Sequence, residues 1–228
     1  AVEQEYASLQ PQEIRVIDPC QGSGHILVYM IDVLVQVYEA YGYTAREAIA
    51  NIIQYNIWGL DIDERATQLA YFSVMMKARQ YDRRFFSRRI QPNVLVIKES
   101  SELDAHCIDY YVDGRPDLRR AMDSLCEAMH DAKEYGSILQ VPDMDFSLLY
   151  GRIEEVRNEE TPSLYSMQVL DTVEPLIRVA QALAQKYHVT VTNPPYMAIS
   201  NADAKLNAYV NENYVGGKTD MFSVFIER

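Results

Sequence analysis

Apolar and polar positions along the chain fall into short alternating runs that end in acid, separated by longer stretches with helical spacing. Residues 13–18 (Glu-Ile-Arg-Val-Ile-Asp) alternate and stop at Pro19, as a short strand does. An apolar helix follows from near Ile26, and a second is expected over residues 44–55 with Thr44 as its N-cap. Residues 57–63 form an apolar strand ending in Asp61 and Asp63. From Glu64 to about Gln80 the residues Ala66, Leu69, Ala70, Ser73 and Met76 have helical spacing, which predicts a small-residue face packed on a sheet and methionines in the core. Residues 92–97 make the third strand. Between about 103 and 165 the pattern loosens into short helical pieces broken by Gly114, Pro116, Gly136, Pro142 and Gly151, which reads as a mostly helical insertion. A helix over residues 166–186, restarted near Pro175, delivers the chain to a fourth strand at residues 188–193. Val189 and Val191 mark that strand as buried, and beyond it come a short helix near 202–214 and a last one capped by Asp220. The first thirteen residues are polar and are expected to fray.

Strand, glycine turn and helix make the first half of a nucleotide-binding βαβ unit. Right-handed crossovers then order four parallel strands 3-2-1-4 in an α/β, Rossmann-like sheet. Ligands bind such sheets at the carboxyl ends of the strands, where the order reverses. Here the reversal lies between the first strand, ending at Asp18, and the fourth, ending at Asn193.

Both strand tips carry candidate chemistry. The turn Asp18-Pro19-Cys20-Gln21-Gly22-Ser23-Gly24-His25 lets a ligand approach the backbone at Gly22 and Gly24 and offers free N–H groups at the helix start. The Asp18 carboxylate beside it favours a cationic or amino-bearing ligand over a pyrophosphate. Asp61, at the tip of the second strand, suits ribose hydroxyls, although helix capping, shared with Asp63, also suits an aspartate there. Glu99 or Ser100, leaving the third strand, is a candidate for a cofactor's adenine amine. In Asn193-Pro194-Pro195-Tyr196 the prolines remove two donors and leave carbonyls free, while the residue before a proline is held extended. The Asn193 side-chain oxygen and the Pro194 carbonyl can then accept from an exocyclic amine, with Tyr196 stacked on the ring that bears it. A rigid turn ending in a packed tyrosine is the plainer alternative.

Composition narrows the setting. The 228 residues are 48% hydrophobic and can bury a core in one large domain, or at most in two small ones. Cys20, Cys107 and Cys126 form no Cys-x-x-Cys pair, which points to a reducing compartment and a cytoplasmic protein. No signal peptide opens the sequence, and the apolar run 26–41 carries Asp32 and Gln36, so it reads as a buried helix and not a membrane span. His106, Cys107, Cys126 and His130 lack a usual zinc spacing, so no metal is expected. The formal charge of −12 opposes nucleic-acid binding by the chain as a whole. Positive charge gathers at Lys77, Arg79, Arg83, Arg84, Arg88 and Arg89, among Tyr81, Phe85 and Phe86, where it suits either a phosphate backbone or a solvated helix end.

Asp-Pro-x-x-Gly-Ser-Gly-His, Gly-Leu-Asp-Ile-Asp and Asn-Pro-Pro-Tyr, in this order, resemble the signature of amino-group DNA adenine methyltransferases that use S-adenosylmethionine. Residues 69–86 and 218–228 resemble more specifically the PglX-type methyltransferases of bacteriophage-exclusion (BREX) defence systems. The resemblance implies a flipped adenine in double-stranded DNA, stacked by Tyr196, with its N6 amine bonded by Asn193 and the Pro194 carbonyl. It implies cofactor contacts from Asp18, Pro19, Gly22, Gly24, Asp61 and Ile62, with Glu99 added by its place at the third strand. It also implies further strands and a target-recognition region beyond these residues, where a basic DNA-reading surface would lie, and partners in a defence complex. A protein glutamine methyltransferase, or a non-catalytic, cofactor-sensing DNA-binding subunit, are the alternatives to site-specific adenine N6 methylation.

Overall fold

The computed structural model describes residues 8–228, and these divide into two compact units: residues up to Val96 with Lys186–Pro194, and Ile97–Gln185 with Pro195–Arg228.

The first unit holds a four-stranded, all-parallel sheet, β1 (Val16–Asp18), β2 (Ile57–Asp61), β3 (Asn93–Val96) and β4 (Val189–Thr190), in the expected order β3-β2-β1-β4. The register sets Asp18 beside Gly59 and Asp61 beside Val96, so the strand tips end on one edge. Helices α1 (His25–Ala40), α2 (Ala45–Asn51) and α3 (Glu64–Tyr81) cover one face. Alternation sorts the strands: Val16, Ile57 and Val94 join Leu27, Ile31, Leu34, Ile49, Ile53 and Val74 in that core, while Ile17, Leu60 and Leu95, also buried, belong to the other face of the sheet. Thr44 caps α2 in a capping box with Glu47, the Glu47 N–H donating to Thr44 Oγ1 at 3.3 Å and the Thr44 N–H to Glu47 Oε2 at 3.0 Å. The helix expected to run to Tyr55 widens after Asn51 into a π turn, Ile52–Asn56.

Three expectations change. Residues 11–13 are not frayed but form a 3-10 turn, because the buried Asn56 donates from Nδ2 to the carbonyls of Pro11 (2.7 Å) and Ile14 (2.6 Å) while its Oδ1 accepts from Tyr38 Oη (2.9 Å). Residues 1–7 of that stretch lie outside the described residues. The packed face of α3 is Thr67, Ala70, Val74 and Ala78, leaving Leu69 52% and Met76 36% exposed; only Ala70 of the expected face is fully buried. Among the described residues β4 is an edge strand of two residues, with Val189 and Val191 more than 40% exposed, because neighbouring strands there lie only on its β1 side.

The second unit is helical. It takes in the whole stretch expected as an insertion, together with the helix before β4 and residues after Pro194. The helix does not stop before Pro175 but widens: Leu164–Gln168 passes through a π turn, Val169–Val173, into Glu174–Ala184. Proline has no N–H to donate back one turn, and the wider turn accommodates the loss. Asp203 caps Ala204–Asn213 and Asp220 caps Met221–Glu227, where the Ser223 N–H donates to Asp220 Oδ1 at 2.9 Å. Ile138, Ile199, Leu206, Val210, Tyr214, Met221 and Val224 form a core here.

Candidate active site

The sheet's order brings the ends of β1, β2 and β4 together, and with them Asp18, Pro19, Gly22, Gly24, Asp61, Ile62, Asn193 and Pro194, all in the first unit. Three expected site residues, Glu99, Ser100 and Tyr196, fall in the second unit. Glu99 there accepts the Lys133 N–H at 3.0 Å, and its neighbour Ser100 is buried and donates to the Cys126 carbonyl at 2.6 Å. Tyr196 leaves 86% of its surface exposed, so the plainer alternative of a packed tyrosine is not what the chain adopts.

The turn after β1 is built from both sides. Gly22 and Gly24 have φ of 51° and 83°, a region that L-residues with a Cβ rarely enter. A Cβ on Gly22 would meet nothing within 4 Å, so the backbone there faces open space a ligand can use. A Cβ on Gly24 would lie 2.9 Å from Ala70 Cα, so this glycine is needed for α3 to pack against the start of α1. The Gly22 N–H donates to Asp61 Oδ2 at 2.8 Å, and the Asp63 N–H donates to Asp61 Oδ1 at 2.9 Å. Asp61 therefore holds the turn to the tip of β2, while Asp63 takes the capping role, accepting the N–H groups of Arg65 (2.7 Å) and Ala66 (3.1 Å). Each Asp61 oxygen keeps a second lone pair for a hydroxyl. Ile62, next in the chain, is 55% exposed and offers an apolar face beside those acceptors.

Asp18 is wholly buried. Its Oδ1 accepts the Cys20 N–H at 3.1 Å and the Thr192 hydroxyl at 2.7 Å, while its Oδ2 has no partner. Desolvation pushes its pKa up to about 6; the bonds from Thr192 and Cys20 partly oppose the rise, and the nearby Asp61 charge adds to it. Burial likewise pushes the Cys20 thiol up to about 12, so it stays protonated and is no nucleophile. A buried carboxyl with an empty acceptor atom calls for a cation or a donor.

Two residues that the sequence reading passed over help to build the site. Gln21 is buried, and its Nε2 donates to Thr67 Oγ1 and the Leu95 carbonyl, both at 3.4 Å, while its Oε1 lacks a partner. That Oε1 sits 2.0 Å from where a Gly59 Cβ would be, so any side chain at position 59, on β2 beside Asp18, would displace the Gln21 amide from this place. Thr192 is the second, through its bond to Asp18. Neither left a signal in hydrophobic period; the glycine at position 59, inside an apolar strand, was the available hint of close approach.

The basic segment stands elsewhere. α3 starts at the tip of β2 and runs back 18 residues, about 27 Å at 1.5 Å per residue, so its end and the turn Phe85–Arg88 lie at the opposite edge of the sheet. Lys77 pairs with Asp32 at 2.6 Å, which also accepts from Tyr81 Oη at 2.6 Å, and Arg88 pairs with Asp82 at 2.7 Å. Arg79 lies over Phe86, 5.7 Å from its ring centre, and Phe85 is buried. Among the described residues no group of three or more His, Cys, Asp or Glu could hold a metal, and no helix is long and apolar enough to cross a membrane.

The chain is 37% identical over 223 residues, 95% of its length, to the adenine-specific methyltransferase PglX of Lacticaseibacillus casei (strain Zhang). It is 32% identical over 244 aligned positions, covering 97% of its length, to the adenine-specific methyltransferase BrxX of Escherichia coli O9:H4 (strain HS). It spans 18% and 20% of those two proteins. Residues 55–228, which include the acidic tip of β2 and the Asn-Pro-Pro-Tyr motif, match the model of the Eco57I restriction-modification methylase, and the chain belongs to that family.

Proposed function

We propose that this chain is the catalytic core of a site-specific DNA adenine N6-methyltransferase that uses S-adenosylmethionine and serves a phage-defence system of the BREX type. The observation that carries the reading is the parallel pairing of β1 with β4, which sets the Asp18–Gly24 turn beside Asn193 at the point where the strand order reverses. The names of the two relatives, both adenine-specific methyltransferases, support the adenine, and the defence setting rests on the resemblance of residues 69–86 and 218–228 to PglX-type enzymes.

The residues fit the cofactor. The unpartnered Asp18 Oδ2 is the acceptor an α-ammonium group needs, the space over Gly22 admits a ligand against the backbone, and Asp61 with Ile62 offers ribose acceptors next to an apolar face for adenine. Asp18 is closed to solvent, so the turn over it must shift for an ammonium to reach it. When bound, S-adenosylmethionine supplies an electrophilic methyl group on a sulfonium. Asn193, exposed at the end of its strand, accepts from the target N6 amine through its side-chain oxygen, and the Pro194 carbonyl accepts a second N–H. Two acceptors on one amine draw it toward sp³ character and aim its lone pair, so transfer depends on positioning more than on a strong base. Tyr196, two residues beyond Pro194 in the chain, stacks on the base once it is flipped from the duplex. Glu99, engaged with Lys133, is retained only as a candidate for the cofactor's adenine amine.

Methyl-labelled cofactor offered together with duplex DNA and with a glutamine-containing release-factor substrate tests this in the protein that carries the chain. Label on adenine N6, lost in Asn193→Ala, is the expected result; label on the protein substrate alone would replace the nucleic-acid reading with amide methylation.

A further inference from the structure

Thr192 stands between the two halves of the site. Main-chain pairing of β4 with β1 reaches the Val191 N–H, which donates to the Ile17 carbonyl at 3.0 Å. One residue on, the Thr192 hydroxyl donates to Asp18 Oδ1 at 2.7 Å, and the next residue is Asn193. The chain thus passes from the sheet ladder to the Asn-Pro-Pro-Tyr motif through a side-chain bond to a buried carboxyl.

The strength of that bond depends on the carboxyl's charge. A hydroxyl donating to an ionised carboxylate makes a shorter and stronger bond than one donating to the neutral acid. The titratable groups around Asp18 are Asp61 on β2 and Cys20 on the turn, and neither supplies the positive charge that would hold the carboxyl ionised. Its Oδ2 is buried and has no partner, so a cation that reaches it once the turn shifts finds an unused acceptor.

We propose that Thr192 is a positioning residue that couples cofactor binding to Asn193: a cation arriving at the unpartnered Asp18 Oδ2 holds the carboxyl ionised, and the Thr192–Asp18 bond, stronger to the ionised form, fixes the strand end that carries Asn193. The inference rests on the methyltransferase reading only for the identity of the cation, the ammonium group of the cofactor.

The experiment follows Asp18 and Asn193 separately by NMR in the 228-residue chain. The Asp18 carboxyl carbon and the Asn193 side-chain amide are titrated in the parent, Thr192→Val and Thr192→Ser. In the parent, Asp18 should titrate near pH 6 and the Asn193 signal should track the same midpoint. Thr192→Val should raise the Asp18 midpoint by on the order of one pH unit, from loss of a bond to the charged form, and uncouple Asn193. Thr192→Ser should restore both. An Asn193 signal indifferent to Asp18 in the parent, or a Thr192→Val chain that titrates as the parent does, would overturn the coupling; the parent trace decides even if the valine variant fails to fold. Adding S-adenosylmethionine at pH 5.5 should move both parent signals to their ionised positions. Coupling that survives without any response to the cofactor would uphold the Thr192 role while removing the cofactor reading.

Discussion

The Gly22 N–H donates to Asp61 Oδ2 at 2.8 Å, tying the glycine turn after β1 to the acidic tip of β2. One carboxylate therefore shapes the turn and offers acceptors to whatever lies on it. Replacing Asp61 by alanine should remove both roles and lower S-adenosylmethionine affinity at least tenfold, since hydrogen bonds to charged groups contribute about 1.5–3 kcal/mol. Asp61→Asn, which keeps an acceptor oxygen, should lose less; isothermal calorimetry on the three chains checks the order.

The two glycines of the turn should separate stability from binding. Gly24→Ala forces a Cβ to within 2.9 Å of Ala70 Cα at a φ of 83°, and should destabilise the chain by about 2–3 kcal/mol, strain and steric displacement together. Gly22→Ala faces open space and should cost only the backbone strain, about 1 kcal/mol, while obstructing the ligand. Urea denaturation read beside cofactor titration would distinguish them; equal losses of stability would contradict the packing assigned to Gly24.

Asp18 should leave a signature in stability against pH. Its folded pKa, about 6, lies above the unfolded value of 3.8, so the folded state holds its proton more tightly. The corresponding stabilisation is fully present below the unfolded value and is lost as pH rises through 6. Relative to Asp18→Asn, the parent should therefore lose about 2 kcal/mol between pH 4.5 and pH 7. A difference that stays flat over that window would mean that Asp18 titrates normally.

β4 presents an unpaired edge, with Val189 44% and Val191 43% exposed. Such an edge invites pairing with a second strand. Concentrated solutions of the 228-residue chain should self-associate, and Val191→Lys should reduce this in light scattering. A parent chain that stays monomeric at high concentration would show the edge to be protected.

Much of this architecture was legible in the chain, for identifiable reasons. Acid-tipped apolar runs at Asp18 and Asp61, with glycines between them, carry the strand-turn-helix pattern locally, and crossover handedness then fixes the order of the strands. The capping residues Thr44 and Asp220 were legible because a cap bonds within its own first turn. What escaped was set by distant contacts. The packed face of α3 is chosen by Gly24 and the sheet, not by the small residues that share a helical period. Asn56 orders residues 11–14 from more than forty positions away, and Thr192 meets Asp18 across 174. The engagement of Glu99 with Lys133 depends on helices whose packing leaves no short-range pattern.

The proposed site has two parts, Asp18 to Gly24 with Asp61 for the cofactor, and Asn193 with Pro194 for the amine. Calorimetric titration of S-adenosylmethionine into the parent, Asp61→Ala and Asn193→Ala chains tests it most directly. Binding is expected at one site in the parent, at least tenfold weaker in Asp61→Ala and nearly unchanged in Asn193→Ala, because hydrogen bonds to the charged Asp61 are lost only in the first variant. A parent that binds no cofactor, or an Asp61→Ala chain that binds as tightly as the parent, would contradict it.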